Sequence, residues 1–126
     1  MAQNTSQKKI IYDFGSNNGD DIPYYLKKGD LVVAVEANPV LCSPIEKRFS
    51  SEIQNGRLCI ENCVLTADDS QDEVFFYSHK RDHVLSQFPK PSDAVIHDYE
   101  KVLLPSQSVL SVTAVQNNLF PLIAPT

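Results

Sequence analysis

The sequence predicts an α/β fold: the first half of a doubly wound parallel sheet, with antiparallel strands added at its C-terminal side. Short apolar runs alternate with helical patterns as far as Leu65, a loop bounded by two glycines follows the first run, and strands with loops follow Leu65. Strands that alternate with helices form parallel sheets through right-handed crossovers. The 126 residues are near the commonest size of one domain.

The first unit is a strand, a loop and a short helix. Lys9–Phe14 is an apolar run between polar segments, which is typical of a buried strand. The small residues Gly15–Gly19 form the loop. Either Asp20 or Asp21 is expected to cap a helix that ends at Gly29.

Further strands are predicted from apolar runs later in the chain. Leu31–Val35 is continuous rather than alternating, as expected of a parallel strand that is covered on both faces, and Leu58–Leu65 is predicted as the third strand. Glu73–Tyr77, Val84–Phe88 and Val102–Leu104 are predicted as antiparallel additions or parts of an extended loop.

A second helix is predicted between the second and third strands. Ser43 and Glu46 have capping-box spacing, with Pro44 at the first helical position. A start at Asn38 would place Pro44 inside the helix and break the hydrogen-bond ladder, so we prefer the later start. The helix is expected to end at Asn55. Apolar residues recur at helical spacing within it, at Ile45, Phe49 and Ile53.

The composition excludes several classes of protein. A net charge of −5 without a clustered basic patch argues against binding to nucleic acid. No stretch approaches the roughly 18 apolar residues of a membrane span. The polar N-terminus lacks the apolar core of a secretory signal, so we expect a cytoplasmic protein.

The three cysteines are interpreted as buried structural thiols. Cys42, Cys59 and Cys63 include no CxxC pair and leave an odd count, which argues against both a disulfide framework and a zinc site. Free cysteines are commonly buried. We therefore predict no metal.

No residue stands out as a catalytic base. His79 and His83 are four residues apart, but their segment has no helical apolar pattern that would align them as metal ligands. We interpret both as exposed loop histidines. His97 and Ser86 are no better supported, and the catalytic residue is left unassigned.

A nucleoside site is predicted where the first two strands end. In open α/β sheets, ligands bind outside the carboxyl ends of the strands. Gly15 and Gly19 allow a sharp turn and a close approach of the backbone to a ligand. Glu36, at the end of the second strand, can accept hydrogen bonds from two ribose hydroxyls. Its spacing from the loop is close to the roughly 20 residues of dinucleotide-binding folds.

The loop favours S-adenosylmethionine over a dinucleotide or a nucleoside triphosphate. A dinucleotide site uses three glycines, and the carboxylates of Asp20 and Asp21 would repel a pyrophosphate. A Walker loop is excluded because no G-K-[ST] follows. Asp13, directly before the loop, suits a ligand with a cationic sulfonium.

Two segments carry a family resemblance. IYDFGSNNGDD and VVAVEANP resemble motif I and the acidic second-strand end of class I S-adenosylmethionine-dependent methyltransferases, and are especially similar to the FkbM family. That family shows a D-x-G-x-N-x-G loop, then V-x-x-E-x-N-P and an N-x-x-L turn, matched here by Asp13–Gly19, Val33–Pro39 and Asn62–Leu65. The resemblance covers about Ile10 to Ser108 and implies a Rossmann-like methyltransferase fold.

The resemblance also implies a cofactor and a reaction. Residues Asp13–Gly19 would hold the methionine moiety, Glu36 the ribose, and the pairs that begin at Ala37 and Asn62 the adenine. The residues assigned to S-adenosylmethionine are Asp13, Gly15, Ser16, Asn17, Gly19, Glu36, Ala37, Asn38, Asn62 and Cys63. The implied reaction is methyl transfer to an oxygen of a sugar, another glycan or a small metabolite, in which catalysis is largely positioning.

The last part of the chain departs from the family. Relatives continue into a strand with the pattern K-I-D-x-E-G, which is absent here. We therefore expect a polar tail at 1–8, an incomplete cofactor-binding domain at 9–113 and a divergent tail at 114–126. In the family's topology the missing strands lie beside the first strand, so Lys9–Phe14 is expected to be an exposed apolar edge. Three alternatives are open: the tail covers this edge, a partner such as a second copy of the chain covers it, or the chain is a truncated product.

Two other functions remain open at this point. A non-catalytic Rossmann-like interaction module is supported by the missing acidic strand and the apolar tail. An NAD-dependent oxidoreductase is the third candidate, and the missing third glycine counts against it.

Overall fold

A parallel sheet of three strands forms the first half of the fold. The computed structural model describes residues 8–67, 71–82, 85–109 and 111–113. The strands lie in the order β1 (Ile10–Phe14), β2 (Leu31–Val35) and β3 (Leu58–Glu61). Both pairings are parallel, with Ile10 opposite Leu31 and Val32 opposite Leu58. The predicted mixed α/β fold with a parallel sheet is confirmed.

Every residue of β2 is buried, because both faces of the central strand are covered. One face packs against the helices; its core is formed by Ile22, Val32, Ala34, Ile45, Phe49 and Leu58. The opposite face has a second core, formed by Leu31, Val33, Val35, Cys63 and Val112. The predicted strand that is covered on both faces is therefore confirmed.

Helix α1 (Ile22–Lys28) connects β1 to β2. Asp21 is its N-cap residue, but the Asp21 side chain makes no capping hydrogen bond. Gly29 ends the helix with φ −125°, outside the left-handed region. Glycine is needed there for space, because a Cβ on Gly29 would lie 3.0 Å from the side chain of Ile11. The guanidinium of Arg57 donates to the Leu26 and Gly29 carbonyls at this helix end.

The predicted start of the second helix is wrong. Helix α2 spans Pro39–Arg48, with Asn38 as its N-cap and Pro44 inside it. The Oδ1 atom of Asn38 accepts a hydrogen bond from the backbone N–H of Val40 at 3.1 Å, which outweighs the capping box predicted at Ser43. Pro44 leaves the Val40 carbonyl without a helical donor, but Val40 is exposed and water can solvate it.

A short helix continues the path to β3. Helix α3 (Ser50–Gln54) follows α2 after Phe49, whose backbone departs from helical geometry at φ −114° and ψ 30°. The chain then turns at Asn55 and Gly56, and Gly56 has φ +76°. The predicted end of the helical segment at Asn55 is confirmed.

The predicted third strand is two strands in different sheets. β3 ends at Glu61, and β4 (Val64–Thr66) joins a second sheet in the order β4-β6-β5. In that sheet β5 (Glu73–His79) is antiparallel to β6 (Tyr99–Ser108), as predicted, whereas β4 is parallel to β6.

The last two predicted strands also differ from the structure. The one predicted at Val102–Leu104 is the middle of the longer β6. Val84 lies outside the described residues, and Gln87 forms only an isolated bridge with Tyr77. That bridge replaces the strand predicted at Val84–Phe88.

The second sheet packs next to the carboxyl end of β2. Its buried core consists of Val64, Val74, Phe76 and Leu104. Ala37, which follows β2 by two residues, packs against this core. The contact brings the end of β5 close to the turn between β2 and α2.

Strand β1 lies at one edge of the first sheet within the described residues. It pairs only with β2 there, its residues are half-buried, and Phe14 is 42% exposed. The hydroxyl of Tyr12 donates to the Thr113 carbonyl at 3.3 Å. The tail predicted at 114–126 lies outside the described residues. None of the described helices is long and apolar enough to cross a membrane.

Candidate functional site

The loop after β1 turns back against the end of β2. The backbone N–H groups of Gly15 and Ser16 both donate to the Val35 carbonyl, at 2.7 and 3.2 Å. Gly15, Asn17 and Gly19 have φ values of +78°, +55° and +83°. Three left-handed residues within five make the tight turn that the glycines predicted.

The two loop glycines face different surroundings. A Cβ on Gly19 would lie 3.2 Å from the Ile45 side chain and 3.3 Å from that of Ile22, so Gly19 permits close packing of the loop on the helices. A Cβ on Gly15 would meet nothing within 4 Å. The open space beside Gly15 is where a ligand can approach the backbone.

Glu36 connects this loop to the turn after β2. Its carboxylate accepts a hydrogen bond from the Asn17 backbone N–H at Oε1, 2.6 Å, and one from the Asn38 backbone N–H at Oε2, 2.8 Å. The residue is only 8% exposed, so it is not a solvated surface acid. Two backbone N–H groups therefore hold the buried carboxylate, one from the loop after β1 and one from the turn after β2.

Asn62 supports the same turn from the end of β3. Its Nδ2 donates to the carbonyls of Glu36 and Ala37, at 2.8 and 2.9 Å. The backbone N–H of Glu36 donates to the Glu61 carbonyl at 3.0 Å. The Asn62 amide therefore holds the turn after β2 from the residue that follows β3.

Asp13 is the acidic residue at the end of β1. Its Oδ2 is the one buried side-chain nitrogen or oxygen without a hydrogen-bond partner among the residues that the structure describes. Burial raises the pKa of Asp13; a hydrogen bond with Ser16 opposes this rise, and the negative charge of Asp21 adds to it. A buried polar atom without a partner is costly, and a ligand that binds it recovers that cost.

The buried thiols of Cys42 and Cys63, in and next to the candidate site, are not reactive groups. Burial is the main cause that raises the pKa of Cys42 to about 12 and that of Cys63 to about 11. Cys42 and Cys63 are buried, as predicted, whereas Cys59 is only half-buried, and all three thiols are free. The Cys42 thiol donates to the Glu36 carbonyl at 3.5 Å. Neutral thiols of this kind are poor nucleophiles and poor metal ligands.

The interpretation of His79 as an exposed loop histidine is wrong. His79 is the last residue of β5 and is 7% exposed, with its ring edge-on to Tyr99 at 4.9 Å. Its Nδ1 accepts hydrogen bonds from the backbone N–H groups of Arg81 and Asp82, at 3.2 and 3.0 Å. The buried ring therefore supports the turn that follows β5.

The other two histidines stay apart from the site. His97 is exposed and lies 3.6 Å from Asp98. His83 lies outside the described residues. The part of the chain that the structure describes contains no group of three histidine, cysteine, aspartate or glutamate residues that could hold a metal ion.

Two serines near β5 contact the site residue Asn38. Ser78 donates to Asn38 Oδ1 at 3.3 Å, and Asn38 Nδ2 donates to Ser86 Oγ at 3.4 Å. The only sequence signal for Ser78 is its place on the buried face of β5, where it alternates with the core residues Val74 and Phe76, and this signal is weak.

Two cavities lie away from the glycine loop. One of about 390 Å³ lies beside the β5–β6 pair, where Phe75, Phe88 and Leu103 line it. The other, of about 320 Å³, is bounded by Ile53 and Leu58 beside β3. None of the predicted cofactor-binding residues lines either cavity.

Comparisons with known proteins found no matching family model, curated protein or solved structure. Function is therefore inferred from the geometry of the sheet edge. There, the described residues place the Asp13 carboxylate, the loop backbone and the Glu36 carboxylate at the carboxyl ends of two adjacent parallel strands.

Proposed function

We propose that this chain is the S-adenosylmethionine-binding portion of a methyltransferase with a Rossmann-like fold, of the FkbM type. The observation that carries the proposal is the buried Glu36 carboxylate, which holds the Asn17 and Asn38 backbone at the ends of β1 and β2. Each carboxylate oxygen has two lone pairs and uses one of them for these bonds. The second lone pairs are suited to the two hydroxyls of a ribose.

Asp13 gives the proposed site its preference for a cation. The unpartnered Oδ2 lies in a buried setting that disfavours the ionised carboxylate. A positively charged sulfonium or ammonium group nearby would favour the ionised form and lower the cost of burying it. A pyrophosphate would repel it, which favours S-adenosylmethionine over NAD.

The proposed reaction is transfer of a methyl group to an oxygen of a sugar or small metabolite. S-adenosylmethionine supplies the activated methyl group when bound. The chain's contribution is to orient the nucleoside through Glu36 and the loop backbone, and such positioning accounts for much of the rate in reactions of two substrates. A base is needed only for an acceptor that is not already ionised, and no described residue is assigned that role.

Titration calorimetry with S-adenosylmethionine, S-adenosylhomocysteine and NAD tests the proposal. We expect the wild type to bind both adenosyl ligands and not NAD. Glu36→Gln should weaken both adenosyl affinities about tenfold or more, because an amide replaces one acceptor with a donor.

Glu46→Gln is the matched control, since Glu46 is an exposed acid on α2 and undergoes the same chemical change. It should bind as the wild type does. A wild type that binds neither adenosyl ligand, or a Glu36→Gln variant that binds them equally well while folded by circular dichroism, contradicts the proposal.

A non-catalytic interaction module is the second candidate. It is favoured by the structural role of Glu36, whose two carboxylate oxygens accept from the chain's own Asn17 and Asn38 backbone N–H groups. Phe14, 42% exposed at the end of β1, adds an apolar surface beside the loop. This function predicts a stable dimer or hetero-complex by light scattering, and a monomer that methylates an acceptor would exclude it.

A further inference from the structure

A polar cluster of two buried residues and one half-buried residue joins the two sheets beside the proposed site. It consists of Asn38, Ser78 and Ser86, and we refer to these three residues as the Asn38 cluster. Asn38 is 1% and Ser78 6% exposed. Asn38 begins the helix after β2, whereas Ser78 lies near the end of β5 in the other sheet. The proposed function does not use either serine.

The cluster holds the Asn38 side chain in one orientation. Oδ1 accepts from the Val40 backbone N–H at 3.1 Å and from the Ser78 hydroxyl at 3.3 Å. The helix cap requires the oxygen at that position, so the amide nitrogen must face Ser86, to which it donates at 3.4 Å. The two contacts with serines are long for hydrogen bonds, and their individual contributions are correspondingly modest.

Ser86 is itself anchored to the second sheet. The backbone N–H of His79, at the end of β5, donates to Ser86 Oγ at 2.8 Å. Ser86 Oγ therefore accepts from a rigid strand and from the Asn38 amide. This places the hydroxyl between the second sheet and the turn that contains Glu36.

A continuous set of hydrogen bonds leads from Ser86 to the glycine loop. The side chain of Asn38 contacts Ser86, its backbone N–H donates to Glu36 Oε2, and Glu36 Oε1 accepts from Asn17. A carboxylate held at both oxygens keeps one orientation only while both donors stay in place. The position of Asn38 therefore sets the orientation of Glu36.

We infer that Ser86 is a positioning residue for Glu36, acting through Asn38. Its consequence for ligand binding rests on the proposed function: Ser86 sharpens recognition of the ribose hydroxyls without touching them. The hydrogen bonds themselves exist without any ligand. Their coupling is therefore testable separately from the identity of the nucleoside.

The ligand-free test compares amide resonances of Ser86→Ala with those of the wild type in ¹H–¹⁵N spectra. We expect the Asn38 and Asn17 amide signals to move, because both N–H groups donate to Glu36. Ser86→Thr keeps the hydroxyl and should restore both signals. Ser92→Ala, at an exposed serine of the same connecting segment, should move neither. An unchanged Asn17 signal in a folded Ser86→Ala variant overturns the inference.

The ligand test compares dissociation constants for S-adenosylhomocysteine and its 2′-deoxy analogue. One ribose hydroxyl bond to the Glu36 carboxylate should give the wild type about a ten- to hundredfold preference for the ribose ligand. In Ser86→Ala this preference should fall below about twofold, whereas a purely structural defect lowers both affinities equally and leaves their ratio unchanged.

The outcomes separate the two claims. A wild type that binds neither ligand overturns the proposed function and, with it, the ribose role, and the amide signals then decide whether Ser86 still positions Glu36. A wild type that prefers ribose with an unchanged ratio in Ser86→Ala overturns the ribose role of Ser86 alone.

Discussion

At the scale of single residues, the loop glycines and Glu36 each meet a local structural requirement and also form part of the candidate site. Gly15 and Gly19 share a left-handed backbone, but only Gly19 is packed against side chains. Glu36 is buried because two backbone donors compensate its charge. Because these requirements act on the residues themselves, the two glycines and the acid can be identified from the sequence without knowledge of tertiary contacts.

Gly19→Ala should destabilise the fold more than Gly15→Ala. A left-handed alanine costs about 1–2 kcal/mol at either position. At Gly19 the new Cβ also meets Ile45 at 3.2 Å, and overpacking adds about 1–3 kcal/mol. Urea unfolding should therefore give a loss of about 2–5 kcal/mol for Gly19→Ala and about 1–2 kcal/mol for Gly15→Ala. Equal losses would show that the loop does not pack on α2 as described.

At the scale of elements, the sequence located all three strands of the parallel sheet but misplaced the start of α2. The Ser43–Glu46 spacing is a local signal, whereas the true start depends on Asn38, whose side chain both caps the helix and contacts the second sheet. Asn62, directly after β3, similarly donates to the carbonyls of the β2 turn. The cap at Val40 is local, but the contact of Asn38 with Ser78 joins residues 40 positions apart, which the sequence does not reveal.

Pro44→Ala tests the start of α2. Inside a helix, proline removes a hydrogen bond and costs about 3 kcal/mol relative to alanine, so the substitution should stabilise the protein by about 1–3 kcal/mol in thermal or urea unfolding. Pro39→Ala is the matched control at the first helical position, where proline is tolerated, and should change stability by less than about 1 kcal/mol. If Pro44→Ala gave no gain, the later start at Ser43 would be favoured.

At the scale of the whole molecule, the second sheet covers one side of the predicted site. The sequence suggested antiparallel additions after Leu65, and the β5–β6 pair confirms that part. It could not predict that Ser86 would reach Asn38, because the contact joins residues 48 positions apart. The burial of His79 was missed because its ring packs against Tyr99 of β6, on the far side of the segment that connects β5 to β6.

The two buried thiols also predict how stability depends on pH. The pKa values of Cys42 and Cys63 are about 12 and 11 in the fold, above the ordinary value of 9.0. Between pH 9 and these values the unfolded chain loses thiol protons that the fold retains, so the free energy of unfolding should fall as pH rises.

Urea unfolding of the wild type and of a Cys42→Ala, Cys63→Ala double variant from pH 8 to 11 measures this effect. The variant removes both thiols and should show a shallower fall, whatever its stability at pH 8. Parallel curves for the two proteins would mean that the thiols are not buried in the fold.

We propose that an adenosyl ligand binds where β1 and β2 end. A titration of the ¹⁵N-labelled wild type with S-adenosylhomocysteine, followed by amide shifts, tests it most directly. We predict that the largest shifts occur at Gly15, Asn17, Glu36 and Ala37, with little change at Phe75 or Leu103 beside the distant cavity. An absence of shifts, or shifts confined to the β5–β6 cavity, would contradict binding of the ligand at the ends of β1 and β2.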